Sequence, residues 1–133
     1  MLNFLRMFGF GLILAAGSAS AAPGGADTMN ADTPAGTLAG ILADMNHFPS
    51  DADRRKLDAI AGSSDVDDDL RAIARAIAGI EHTPTAEAQA RLNGIIASDA
   101  ATAAEKTLAA AVLRFEHKAS VEDQSALEEL AGR

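Results

Sequence analysis

The 133-residue chain carries 11 Lys plus Arg against 19 Asp plus Glu, a formal net charge of −8, and has no cysteine, tryptophan or tyrosine. The missing cysteine excludes disulfides, thiolate metal ligands, c-type haem attachment, a lipidated N-terminal cysteine and a cysteine nucleophile. The acidic balance repels phosphate backbones and anionic lipid, so nucleic acid is not an expected partner.

Residues 1–21 read as a signal peptide. Arg6 is the one charge of the n-region, Met7–Ala16 is an apolar run broken by Gly9 and Gly11, and Ala19-Ser20-Ala21 fits an A-x-A site with cleavage after Ala21. The run of about ten residues is too short for the roughly twenty of a spanning helix. The expected product is therefore a periplasmic or secreted protein with no membrane association after cleavage. Its loss of Arg6 leaves 10 basic against 19 acidic residues. Residues 22–33, rich in Gly, Ala, Asp and Pro, read as a flexible linker that ends in a cap, Thr33, and a first helical residue, Pro34.

From residue 34 to 131 the chain reads as an all-α domain built from a tandem 35-residue unit. His47, His82 and His117 recur at that interval, inside Asn46-His47-Phe48-Pro49-Ser50, Glu81-His82-Thr83-Pro84-Thr85 and Glu116-His117-Lys118-Ala119-Ser120. Apolar positions keep the same register: Leu38, Ile73 and Leu108; Leu42, Ile77 and Val112; Met45, Ile80 and Phe115; Leu57, Leu92 and Leu127. A period of this size marks stacked helical units. Before each histidine, apolar residues at i, i+3 or i+4, and i+7 make one helical stripe, as in Leu38-Ile41-Leu42-Met45.

After each histidine, Ser50, Thr85 and Ser120 are N-caps for second helices expected at 50–62, 85–97 and 120–131. Gly62 is a candidate left-handed stop. Thr102-Ala103-Ala104-Glu105 matches a capping box. Six helices are thus expected, paired as three antiparallel hairpins across the histidine turns, with open terminal helices that invite self-association. The core is expected to be Ala, Leu and Ile, with Phe48 and Phe115 as its aromatics.

Few residues carry chemistry. The histidines, with Glu81 and Glu116 beside two of them, are metal-ligand candidates because imidazole is a common ligand. Stacked units separate equivalent positions by about 8–10 Å, which argues against one shared ion and favours a helix-terminal role. Asp65-Val66-Asp67-Asp68-Asp69 lacks the Gly and Glu of a calcium loop and reads as helix-capping. Arg54-Arg55-Lys56 reads as a solvated, ion-paired face. No P-loop, G-x-G-x-x-G, H-E-x-x-H or G-x-S-x-G occurs, so no catalytic residue, cofactor or enzymatic activity is expected.

Two functions remain open. The first is a non-enzymatic interaction module of the cell envelope that binds a protein or peptide on an extended repeat face. The alternative is a small periplasmic metal- or cation-binding protein using His47, His82, His117, Glu81 and Glu116.

Overall fold

A computed structural model describes residues 32–133, which form six α-helices and no strand. These are α1 (Pro34–Asp44), α2 (Asp51–Gly62), α3 (Asp68–Ala78), α4 (Ala86–Ala97), α5 (Ala103–Leu113) and α6 (Val121–Leu130). The expected leader, and the linker up to residue 31, lie outside the described residues. Among the described residues no helix is long and apolar enough to cross a membrane.

Each helix starts on the cap its sequence offers. Thr33 accepts from the Gly36 N–H at 2.9 Å, with Pro34 inside the first turn. Ser50, Thr85 and Ser120 each accept, at 3.1 Å, from the N–H three residues on. In the capping box the Glu105 N–H donates to Thr102 at 3.1 Å, and the Thr102 N–H to the Glu105 carboxylate at 2.8 Å. Asp67 accepts from the Asp69 N–H at 2.8 Å, so the aspartate run does cap α3. Such caps contribute about 1 kcal/mol each. Gly62 does not act as a left-handed stop. It is the last helical residue of α2, and the chain leaves through Ser63 at φ −85°, an extended exit that needs no glycine.

Burial divides the helices into two sets. In α1, α3 and α5 nearly every residue is at least partly buried, with Leu38, Ala39, Leu42, Ile73, Ala74, Ile77, Leu108, Ala109 and Val112 fully so. Among the large apolar residues of α2, α4 and α6, Leu57, Leu92, Ile95, Leu127 and Leu130 are buried. The first set forms the centre, since α1, α3 and α5 all pack on one another. The second set lies outside it. Buried alanines on the central helices let their backbones approach closely.

The pairing of the helices differs from the expectation. The most extensive packing joins α2 to α3, α4 to α5 and α6 to α1, across the linkers and across the chain ends. Helices flanking a histidine turn pack less, and clefts remain between them, lined by Gly36, Gly40 and Lys56 in one case and by Ala72, Ala88 and Arg91 in another. The terminal helices are therefore not open ends, because α6 closes on α1. Two hydrogen bonds show the closure at atomic scale. The Arg54 guanidinium on α2 donates to the Ala78 carbonyl at the end of α3, at 3.1 Å. The Gln124 amide on α6 donates to the Ala43 carbonyl near the end of α1, at 3.3 Å. Donors and acceptors are offset by 70 and 35 residues respectively, yet the contact is the same. Arg133 also forms a two-pronged pair with Asp44, at 2.9 and 3.1 Å.

Phe115 is buried as expected, but Phe48 is 57% exposed. Met45 and Pro49 are the buried residues on either side, and the reversed backbone at His47 turns Phe48 outward between them.

Candidate metal centre

The central helices α1, α3 and α5 end at residues 44, 78 and 113, and each runs within four residues into its histidine. Because these helices pack side by side and point the same way, their three turns meet at one end of the bundle. The ring centroids of His47 and His82 lie 5.5 Å apart, and each lies 5.0 Å from His117. One ligand nitrogen from each ring lies within 4.8 Å of the other two. The expected spacing of about 8–10 Å fails because it assumed a linear stack. In a closed ring the equivalent positions converge on the axis.

Backbone hydrogen bonds hold the turns together. The His47 N–H donates to the His117 carbonyl, and the His117 N–H to the His82 carbonyl at 2.9 Å. Local geometry is unusual at two of the three. His47 has φ 72° and His117 φ 71°, while His82, at φ 156°, is close to extended backbone. Around His47 the Phe48 N–H donates to the Asn46 carbonyl at 2.9 Å, so His47 is the central residue of a three-residue turn. Glu116 and Lys118 are bridged in the same way around His117. A side chain at such a φ costs on the order of 1–2 kcal/mol relative to glycine. The chain has 11 glycines yet places imidazoles here.

Below the rings, Met45, Ile80 and Phe115, each two residues before a histidine, are buried and form an apolar floor. On the outer side all three histidines are exposed. Three helix C-termini converge here, each with a partial negative charge near −0.5, a setting that favours a cation. Glu81 and Glu116 are exposed and stand outside the three-histidine group.

At the far end of the central helices lies a second group that sequence reasoning treated as two separate caps. Asp67 and Asp69 of α3 and Glu105 of α5 bring carboxylate oxygens within 4.8 Å of one another. Glu105 is 5% exposed. Burial above all, then the neighbouring Asp67 and Asp69, raise its pKa, and the Thr102 N–H partly offsets this. Arg91 donates to Asp69 at 3.1 Å. Asp67 and Glu105 already cap helix N-termini and Asp69 is paired with Arg91, and those roles account for all three.

No family model matches this chain, nor does any curated protein or solved structure.

Proposed function

We propose that the protein binds one divalent transition-metal ion through His47, His82 and His117, and that three copies of a 35-residue unit arose to supply one imidazole each. The observation that carries this is the convergence of three exposed imidazoles on one point, two of them from left-handed turns. Two ligands of one tetrahedral zinc, each about 2.0–2.1 Å from it, stand about 3.3 Å apart. Nitrogens within 4.8 Å reach that spacing by small rotations of exposed rings. Three nitrogens and no thiolate suit zinc, copper, nickel or cobalt, whereas calcium and magnesium call for oxygen ligands.

The expectation of an interaction module asks for an exposed stripe across all units. Among the described residues the large exposed apolar side chains are Phe48 and Val121. The imidazole cluster is the stronger support, and metal binding is the function it favours. Ligands 35 residues apart are brought together only by folding, so metal binding and stability are linked.

Thermal unfolding with and without each metal tests this. A metal at a hundredfold excess over its Kd adds about 2.7 kcal/mol, which in a domain of this size is a rise of roughly 10–20 °C. Zinc, copper, nickel or cobalt should give such a shift at one ion per chain, and calcium should not. Each single His→Ala variant should reduce it, and the triple variant should stay helical and lose it. A midpoint indifferent to every transition metal, or a shift that survives the triple replacement, would overturn the proposal.

A further inference from the structure

Resting on that metal site, we infer that the bound ion keeps one exchangeable coordination position facing solvent, and that this position takes a neutral nitrogen donor of the imidazole class in preference to an anion.

The ligand count supports the open position. The group at this end of the bundle supplies three nitrogens and no fourth ligand, since Glu81 and Glu116 stand outside it. Structural zinc sites close with four protein ligands, whereas three-ligand sites leave a place for water or another molecule. That place cannot be filled from within. The floor is Met45, Ile80 and Phe115, all buried and apolar apart from one thioether, a weak donor that zinc, cobalt and nickel do not seek. On the opposite side the imidazoles are exposed.

Charge decides the class of ligand. The ion brings two positive charges, which by themselves would draw anions. Against this stand three converging helix C-termini, the exposed carboxylates of Glu81 and Glu116 flanking the turns, and a chain with a net charge of −8. Lys118 is the one cationic side chain in the three histidine turns. A neutral donor binds the ion without meeting that negative surround.

Cobalt(II) provides the probe, because its visible absorption reports the number and kind of its ligands. The cobalt-loaded protein is titrated at low ionic strength with imidazole, and separately with azide and with acetate, and cobalt content is measured after desalting at each point. Saturable spectral change with imidazole, cobalt retained, and at least tenfold weaker response to azide and acetate is the expected result. The Glu81→Gln/Glu116→Gln double variant should bind azide more tightly and imidazole unchanged. A cobalt spectrum that imidazole does not alter, or cobalt stripped by imidazole, would refute the open position. Azide binding as tightly as imidazole would refute the charge argument. If cobalt gives no ligand-bound spectrum at all, the metal site itself fails, and this inference with it.

Discussion

His47 and His117 occupy backbone that glycine adopts freely and other residues adopt at a cost. If the side chain served only the turn, glycine would be the better residue there. A comparison of His117→Gly with His117→Ala separates the two roles. Without metal, the glycine variant should be more stable than the alanine variant by about 1 kcal/mol, roughly 4–8 °C in midpoint. It should match or exceed the parent, because relief of strain offsets the added freedom of the unfolded chain. Both variants should lose the response to zinc. A glycine variant much less stable than the parent would show that the ring itself holds the turn. The sequence made the three histidines visible as a set, but their φ values were not legible, because no glycine or asparagine marked the positions.

Among the elements, the capped N-termini were the most legible part of the fold. Ser50, Thr85, Thr102 and Ser120 all act as expected, since a cap needs only a hydroxyl and the N–H groups next to it in sequence. The neighbourhood of those caps was not legible. Glu105 reads as half of a capping box and proves to be buried beside Asp67 and Asp69 of another helix. Its pKa is raised above the ordinary 4.5, first by burial. Its contribution to stability is therefore fully present below 4.5 and is lost as pH rises through the folded value.

Asp123 works in the opposite sense. The Arg114 guanidinium holds its carboxyl below the ordinary 3.8, so its contribution is present above 3.8 and is lost as pH falls through the folded value. Glu105→Gln keeps the capping box, which accepts glutamine, and removes the buried charge. It should raise the midpoint at pH 7 by a few degrees, roughly 2–6 °C, and the gain over the parent should shrink as pH falls towards 4.5. Asp123→Asn should lower the midpoint at neutral pH, and its deficit should fade in strong acid. Paired melts of variant and parent at each pH check both. A Glu105→Gln gain that does not depend on pH would remove the buried-charge account.

At the scale of the molecule, closure of α6 on α1 makes the protein a ring and not an open stack. An open array loses stability in steps as terminal units are removed, because each unit contacts only its neighbours. A ring loses two interfaces at once. Deleting residues 120–133 would strip the cover from α1, including the Gln124–Ala43 and Arg133–Asp44 contacts. Cooperative thermal unfolding should be lost, and far-UV ellipticity should fall well beyond the share of one ten-residue helix. A truncated protein that still melts cooperatively, with the other five helices intact, would mean that closure contributes little. Removing the same segment should also abolish the zinc response, because the His117 turn loses the element that follows it.

Periodicity, caps and breakers are local or evenly spaced properties. The sequence by itself therefore determined the helical class, the number of helices and their capped starts, the ends of α2, α4 and α6 to within a residue, and the buried register from Leu38 to Leu130. Which helices pair, and where equivalent positions end up, depends on the direction in which successive helices stack. That direction comes from the fit of alanine-lined faces summed over the whole core, and no short window of sequence encodes it. Tertiary structure alone thus decided that α6 meets α1, that Phe48 faces outward, and that three histidines 35 residues apart share a single point. The same reason covers all three: each depends on packing between helices distant in sequence, which no local pattern fixes.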